Sequence, residues 1–473
     1  MPLANNQPMP RAARAFLLAL AAVLYALAFS VPALWPLIFV AMVPALVATD
    51  GLSPGDAFRW GILSGFTVAA LGVTWFWNIF GPGAPALWMI FGLWFGVFFA
   101  GRAIMQRGLR PWAAVLATVL WWTAVEFFRA ECYPLRCTFL CLGHALAGET
   151  SPLKLGARLL GAYGLGTVII TFNAAVACAV RPAGIKRLTA LIAAACLLAV
   201  LALLPAALEP PAETPGRAVR VALVQNEPGR LDESVRLSRA AASAGPQWIL
   251  WPELSILSDV KADARVRGEI EKLARDTGAV VGVGAKLDHP AAAPNFWNAY
   301  VLFGPGGESL GEYHKIQPVP LMLDGVPGSD YKVFDTPQGR LGVAICYDAD
   351  FAWICRRLVA NGAEMLAVPI LDPERWGARM RRQHVAATVL RAIENGRYVL
   401  RIANAGPTLI IDPRGNIVER CDQTSPGVVT GRVFPRNEDT PYARFGWLLP
   451  YGCQGASAVL LVWAVIAGRR KNV

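Results

Sequence analysis

The chain has 473 residues, of which 55% are apolar and only 16% are charged. An ordinary soluble domain is about 45–50% apolar and about 25% charged, so this composition excludes a wholly soluble protein. The apolar residues concentrate in 1–210 and 445–468, whereas 216–440 has the composition of a globular domain. We therefore predict a transmembrane helical domain of about seven spans at 1–210, an extramembrane domain at 216–440 and a C-terminal transmembrane helix at 445–468.

The net charge of +11 indicates an anionic partner, either nucleic acid or a membrane surface. The arginines and lysines cluster at the ends of the apolar segments, which is typical of membrane proteins. A nucleic-acid groove would combine a basic run with interleaved aromatic residues, and this sequence has no such run. We expect the membrane as a partner and no nucleic acid.

Eight segments of the sequence are candidates for transmembrane helices, which need about 20 mostly apolar residues each. They are 14–30, 31–48, 58–80, 84–106, 111–130, 159–180, 188–208 and 445–468. With eight spans, the basic N-terminal tail, the loops after the fourth and sixth spans and the basic C-terminal tail all lie on one side. Because basic loops face the cytoplasm, we expect the 216–440 domain on the periplasmic face of a bacterial inner membrane.

Two groups of polar residues fall in the transmembrane half. Cys132, Cys137 and Cys141 are close in sequence, and a disulfide among them is favoured over a metal site, because nothing completes a familiar zinc spacing. Glu126 and Arg129 lie three residues apart near the end of the fifth span. They fit equally well a pair that lines a polar cavity and an ion pair at the water interface.

Short strands and helices alternate in the extramembrane segment, which predicts a layered α/β fold. The predicted strands lie at 219–225, 248–251, 280–284, 298–303, 342–346, 365–369, 398–402 and 408–412. The predicted helices lie at 232–244, 261–277 and 380–396. Gly282 and Gly284 lack the third glycine of a dinucleotide-binding loop, and no phosphate-loop or serine-hydrolase motif occurs. The histidines show no metal spacing, so we expect neither a cofactor nor a metal.

Three reactive side chains lie at the ends of predicted strands or close to them: Glu253, Lys315 and Cys346. Functional sites in layered α/β folds collect at strand ends. A cysteine becomes a nucleophile when a base or a cation lies nearby. A carboxylate can accept the thiol proton, while an ammonium and the Tyr347 backbone N–H can stabilise an oxyanion. Taken singly, each of these residues is more often a structural thiol or a solvated charge.

The order of these residues resembles the nitrilase, or carbon–nitrogen hydrolase, superfamily. The motifs are Trp-Pro-Glu253, then Lys315, then Ile-Cys346-Tyr-Asp. Segments that look like the superfamily's downstream motifs lie at 391–397, 401–406 and 412–415. The resemblance covers about 219–435 and implies an α-β-β-α sandwich with a Glu-Lys-Cys triad.

The transmembrane half sharpens the resemblance, because several spans precede the catalytic domain and one follows it. Segments that resemble the apolipoprotein N-acyltransferase family begin at Leu24, Leu34, Gly65, Trp121, Gly161 and Thr440. That family moves an acyl chain from a phospholipid to the free α-amine of a lipoprotein's N-terminal diacylglyceryl-cysteine. The resemblance implies a phospholipid donor and a lipoprotein acceptor. It also implies a thioester on Cys346, Glu253 as general base and acid, and Lys315 as the oxyanion stabiliser.

Several positions depart from the family pattern around the expected triad. The family's second glutamate falls on Leu323 without a gap, and the adjacent Asp324 would be a shorter substitute. The family's Cys-Tyr-Glu becomes Cys-Tyr347-Asp348, and its Asn-Asp-x-Trp-Phe-Gly loop is only partly matched around Trp376. Asp324, Tyr347, Asp348 and Trp376 are candidates for oxyanion contacts or for support of the triad.

The alternatives to an acyltransferase acting on lipoproteins are a membrane-tethered amidase or nitrilase-type C–N hydrolase, a divergent paralogue that acylates another amine, and a non-catalytic assembly protein.

Overall fold

The computed structural model describes residues 9–180, 217–291 and 295–470. The chain folds into two compact units. The first contains Met1–Gly156, Leu160–Ala207 and Phe445–Val473, and the second contains Ala157–Leu159 and Leu208–Arg444. Within the described residues, the first unit is helical and the strands belong to the second unit.

The helices of the described residues range from single turns to long apolar segments. In chain order they are α1 (Arg11–Ser30), α2 (Ile38–Ala41), α3 (Val43–Ala48), α4 (Pro54–Gly72), α5 (Phe76–Phe80), α6 (Ala84–Gly108), α7 (Pro111–Phe127), α8 (Ala157–Ala179), α9 (Leu231–Ala241), α10 (Ala264–Thr277), α11 (Ala352–Ala360), α12 (Ala378–Asn395), α13 (Pro441–Arg444) and α14 (Leu449–Arg470).

Five helical segments of the described residues are long and apolar enough to cross a membrane. They are Arg11–Ser30, Phe76–Gly108, Pro111–Cys132, Pro152–Ala179 and Gly446–Arg469. Five of the predicted spans coincide with these segments, namely 14–30, 84–106, 111–130, 159–180 and 445–468.

The other three predicted spans have different outcomes. The 31–48 segment divides into short helices, with prolines at 32, 36 and 44 inside it. The 58–80 segment contains most of α4, which is not among the five. The 188–208 segment lies outside the described residues. The count of about eight spans therefore stays a prediction.

Small residues allow α4 and α6 to pack closely. A Cβ added to Gly61 would lie 2.8 Å from the Cα of Gly96, and one added to Gly92 would lie 2.8 Å from the Ile62 carbonyl oxygen. Helices in lipid associate through such close packing, because hydrophobic burial provides little driving force between them.

Three buried polar side chains hold the irregular segment 137–142, which follows the α7 region. Arg129 donates to two carbonyls of this segment, at 2.7 and 3.3 Å. Glu126 accepts one of its backbone N–H groups at 2.9 Å, and the Tyr25 hydroxyl donates to a third carbonyl at 2.6 Å. Non-helical backbone within an apolar bundle needs such internal partners. Both ionisable residues are buried and line a cavity, which favours the cavity alternative over an interfacial ion pair.

The three clustered cysteines are separate thiols. Cys132, Cys137 and Cys141 are free, so the expected disulfide among them is wrong. The sulfur of Cys141 instead accepts a hydrogen bond from Arg129 Nη2 at 3.2 Å. The guanidinium therefore uses this thiol as one more partner within the segment that it holds.

The second unit contains two six-stranded sheets. The strands are β1 (Val219–Gln225), β2 (Trp248–Leu250), β3 (Val280–Asp288), β4 (Phe296–Phe303), β5 (Ser309–His314), β6 (Val333–Thr336), β7 (Gly339–Val343), β8 (Met365–Ile370), β9 (Tyr398–Ala403), β10 (Thr408–Ile411), β11 (Ile417–Cys421) and β12 (Gly427–Val433). The first sheet has the order β12-β1-β2-β3-β4-β5 and the second has the order β11-β10-β9-β8-β7-β6.

The two sheets form the predicted α-β-β-α sandwich. Helices α9 and α10 pack on the first sheet, α11 and α12 pack on the second, and β1 contacts β9 between them. The core under α10 joins Ile249 and Val281 from the strands to Ile270 from the helix, all fully buried. In each sheet three neighbouring strands run parallel, β1-β2-β3 and β7-β8-β9. Their carboxyl ends are where ligands bind in open α/β sheets.

We expect Arg129→Met to destabilise the protein, because it removes the guanidinium that donates to the Cys137 and Phe139 carbonyls. A hydrogen bond to a charged group contributes about 1.5–3 kcal/mol, so the melting temperature in detergent should fall by at least about 2 °C. Glu126→Gln is the matched control, since its amide oxygen still accepts the Leu142 N–H. Equal melting temperatures for Arg129→Met and the wild type would contradict the structural role of Arg129.

Candidate active site

A buried ion pair joins two of the predicted catalytic residues. Glu253 lies three residues after β2, and Lys315 directly follows β5 of the same sheet. The distance from Lys315 Nζ to Glu253 Oε1 is 2.8 Å, and the exposed fractions of the two side chains are 0% and 2%. A charge this deeply buried is stable only beside an opposite charge, so each residue requires the other.

Asp324 gives the same ammonium a second carboxylate, with Lys315 Nζ 2.7 Å from Asp324 Oδ2. Asn298, on β4, joins the two acids, since its Nδ2 donates to Glu253 Oε1 at 2.7 Å and to Asp324 Oδ1 at 2.9 Å. The sequence made Asp324 a candidate substitute for the family's second glutamate, and that assignment stays a prediction. Asn298 was not predicted as a site residue, although an amide at the start of an otherwise apolar predicted strand was a signal for it.

The candidate nucleophile lies on a sharp turn of the second sheet. Cys346 follows β7 and begins the 3₁₀ turn Cys346–Asp350. Its φ is +51°, in the left-handed region that a non-glycine residue adopts at a cost of roughly 1–2 kcal/mol. The surrounding structure must hold such a conformation, and residues held in this way cluster at active sites.

Asp348 provides much of that support. Its fully buried carboxylate accepts hydrogen bonds from the N–H of Gln317 at 2.7 Å, the N–H of Ile345 at 3.1 Å, the N–H of Ile316 at 3.3 Å and the hydroxyl of Tyr313 at 2.8 Å. Burial raises the pKa of Asp348 to about 6, although these hydrogen bonds oppose the rise. The carboxylate thus ties the segment that contains the buried lysine to the turn that contains the cysteine.

The electrostatics of the three expected triad members are coupled. Burial raises the pKa of the Cys346 thiol well above its usual value, the Glu253 charge raises it further, and Lys315 lowers it. Burial also raises the pKa of Glu253, against the attraction of Lys315. Burial lowers the pKa of Lys315, but Asp324 and Glu253 outweigh it, so the net pKa is raised and the amine stays an ammonium.

A second group of charged residues lies beside the cysteine. A carboxylate oxygen of Asp372, a ring nitrogen of His384 and the sulfur of Cys346 lie within 4.8 Å of one another. Arg401 Nη2 lies 2.6 Å from Asp372 Oδ2, and His384 Nδ1 lies 2.9 Å from the same oxygen. The donor types suit zinc, but Asp372 already engages two cationic partners. We therefore interpret the group as a charge network. The sequence did not predict a role in the site for His384.

Tyr347 and Trp376, the other two predicted site residues, are both buried, with exposed fractions of 7% and 9%. The Tyr347 ring packs edge to face on Phe351, with ring centroids 5.0 Å apart. Trp376 ends the 3₁₀ turn Glu374–Trp376, which precedes α12. The oxyanion contact of the Tyr347 N–H and the support of the triad by Trp376 stay predictions.

Two protein families match the chain, one in each half. Residues 220–437 match the carbon-nitrogen hydrolase family, and residues 21–175 match the apolipoprotein N-acyltransferase N-terminal domain. A protein of Geobacter metallireducens named apolipoprotein N-acyltransferase is 28% identical over 96% of this chain and 95% of its own length. One of the same name from Azotobacter vinelandii is 28% identical over 93% of this chain and 92% of its own length.

Solved structures of similar proteins align with about half of the chain. An amidase from Nesterenkonia sp. is 21% identical, with a TM-score of 0.42 over 50% of this chain and 95% of the amidase. The NitFhit protein of C. elegans is 21% identical, with a TM-score of 0.41 over 48% of this chain and 62% of that protein.

We expect Asp348→Asn to loosen the turn at the nucleophile. An amide has one acceptor oxygen where the carboxylate has two, and its NH₂ group would face N–H donors. Each buried N–H left without a partner costs about 1–3 kcal/mol, so the melting temperature should fall by at least about 2 °C. Asp335→Asn removes a carboxylate that is 85% exposed and pairs only with Arg340 among the described ion pairs, and it should melt like the wild type. Identical melting of the two variants would contradict the bridging role.

Proposed function

We propose, from the premise that this chain belongs to the apolipoprotein N-acyltransferase family, that it moves an acyl chain from a phospholipid to a lipoprotein amine. The acceptor would be the free α-amine of the N-terminal diacylglyceryl-cysteine. Catalysis would use a thioester on Cys346. We also propose that the enzyme lies in a bacterial inner membrane with residues 216–440 on the periplasmic face, since the basic loops fit that orientation.

The observation that carries this proposal is the buried ion pair of Lys315 and Glu253 in the same unit as the strained Cys346 turn. A base that accepts a thiol proton and a fixed ammonium that stabilises an oxyanion are the two requirements of acyl transfer through a cysteine. Leu321 and Leu323, in the loop after Lys315, are 69% and 76% exposed. Exposed leucines in this loop support an apolar acyl donor over a small polar amide.

In the first half-reaction, Glu253 accepts the proton of the Cys346 thiol, and the thiolate attacks the ester carbonyl of the phospholipid. The Lys315 ammonium and the Tyr347 N–H stabilise the oxyanion of the tetrahedral intermediate. The carbon–oxygen bond then breaks, Glu253 returns its proton to the departing alcohol, and a lysophospholipid leaves the thioester behind.

In the second half-reaction, the acceptor amine attacks the thioester carbonyl, and Glu253 takes a proton from the amine. The carbon–sulfur bond breaks, and the same proton returns to Cys346. The products are an amide and the free thiol, so the site is ready for another cycle. This ping-pong scheme uses one base, one nucleophile and one oxyanion stabiliser for both steps.

The direct test of the proposal is a covalent acyl group on Cys346. The purified full chain is mixed with phospholipid vesicles, and the peptide containing Cys346 is analysed by mass spectrometry. We expect the mass of one fatty acyl chain, absent from Cys346→Ala. Lack of the acyl group would favour a small-amide hydrolase. A chain that forms the thioester but does not rescue a strain without its own lipoprotein N-acyltransferase would be a paralogue with another amine acceptor.

Asp324 contributes to the pH dependence of the first half-reaction. Burial is the main cause of the raised pKa of Glu253 and of Cys346, and the charge of Asp324 raises both further. For Cys346, the effects of Glu253 and Asp372 are larger than that of Asp324. Asp324→Asn removes that repulsion, so both groups should lose their protons at lower pH. We expect the acid limb of the rate of thioester formation to move to lower pH by about one unit. Asp330→Asn, an exposed position in the same loop, should leave the limb in place, and an upward shift in Asp324→Asn would refute the assignment.

A further inference from the structure

The charge network of Asp372, His384 and Arg401 lies beside the nucleophile but has no part in the Glu-Lys-Cys scheme. All three side chains are buried, with exposed fractions of 0%, 2% and 0%. They come from different elements of the second sheet and its helix, since Asp372 follows β8, His384 lies on α12 and Arg401 lies on β9. Three buried charged residues within one network, next to a reactive sulfur, call for a functional explanation.

An unneutralised Asp372 would oppose formation of the thiolate. Its carboxylate oxygen lies within 4.8 Å of the Cys346 sulfur. Like charges at this distance raise the pKa of an acid, and Asp372 is one of the carboxylates that do so for Cys346, after burial and Glu253. The thiol can therefore ionise at this place only if cations offset the charge of Asp372.

Two cations lie against Asp372. Arg401 Nη2 is 2.6 Å from Oδ2. His384 Nδ1 is 2.9 Å from Oδ2 and 3.0 Å from Oδ1. The other nitrogen of His384, Nε2, lies 3.6 Å from Asp350 Oδ1. The imidazole thus lies between two carboxylates, which is the arrangement that stabilises its protonated form.

We propose that His384 is a positioning residue whose imidazolium neutralises Asp372 beside Cys346 and so keeps the thiol reactive near neutral pH. The proposal rests on the proposed function only in taking Cys346 as the nucleophile. Burial lowers the pKa of His384, but Asp372 and Asp350 outweigh it and raise the net value. The same pairing holds the pKa of Asp372 low in spite of its burial.

Charged groups from several neighbouring elements act on this pair or on Cys346. Glu253 after β2 and Lys315 and Asp324 after β5 act on Cys346. Asp350, on the turn that begins at Cys346, and Arg401, on β9, act on His384. Of the two cations on Asp372, the arginine stays protonated throughout the accessible pH range. The histidine is the one that can lose its charge, and the carboxylates of Asp372 and Asp350 raise its pKa and so move that loss to higher pH. His384 is therefore the member of the network through which pH would act on the thiol.

The test is the pH dependence of Cys346 alkylation by iodoacetamide in the purified full chain, followed by mass spectrometry of the peptide containing Cys346. His384→Asn keeps an amide N–H near the position of Nδ1 but removes the positive charge. We expect the midpoint of its profile to rise by about one pH unit, so that alkylation at a fixed lower pH slows roughly tenfold. Because this readout needs no lipid, it stays informative even if the acyl-transfer proposal fails.

A double variant separates charge neutralisation from direct proton transfer. Asp372→Asn combined with His384→Asn removes both charges, so its midpoint should return toward the wild-type value. A midpoint that stays as high as in His384→Asn would overturn the proposal and assign His384 as a base on the thiol. Where the double variant does not fold, the single variant decides, since an unshifted midpoint in His384→Asn also overturns the proposal.

Arg382→Gln is the matched control for these variants. It removes an exposed positive charge from the same helix, where solvent screens it from the site. We expect its alkylation profile to match that of the wild type. A shift as large as that of His384→Asn would mean that the net charge of the helix, rather than the contact with Asp372, controls the thiol, and the proposal would fail.

Discussion

The burial of one ammonium group governs the catalytic unit. Removing a charge from water costs several kcal/mol, and only close opposite charges and hydrogen bonds offset that cost. Lys315 has no exposed surface and lies 2.8 Å from Glu253 and 2.7 Å from Asp324. The two acids in turn share the amide of Asn298. Glu253, which we propose as the general base, is thereby held in position before any substrate binds.

The sandwich divides the chemistry between its two sheets. The first sheet provides Glu253 and Lys315, and the second provides Cys346, followed by Asp372 and Arg401. Neither sheet alone contains both Cys346 and Glu253, so in the proposed mechanism the relative placement of the sheets decides whether the thiol can lose its proton. The Asp348 carboxylate bonds backbone groups from the ends of both sheets and fixes this placement at the site itself.

The sequence predicted those parts of the structure that local patterns encode. The eight predicted strands overlap observed strands, because buried strands are continuous apolar runs. Strands β5, β6, β11 and β12 were missed, since most of their side chains are exposed or half-buried and form no long apolar run. Asn298 and His384 could not be assigned from sequence for another reason. Their partners lie 45 residues away for Asn298 and Glu253, and 12 for His384 and Asp372, and only packing brings them together.

At two positions that depart from the family pattern, the acid is shorter than a glutamate, but its carboxylate still reaches its partners. Asp324 is one methylene shorter than a glutamate, yet it still reaches Lys315 because its loop turns sharply, with Leu321 at φ +66° and Gly325 at φ +90°. Asp348 is shortened in the same way and still accepts its four donors. The backbone thus supplies the missing length, and each carboxylate keeps its ion pair or its hydrogen bonds.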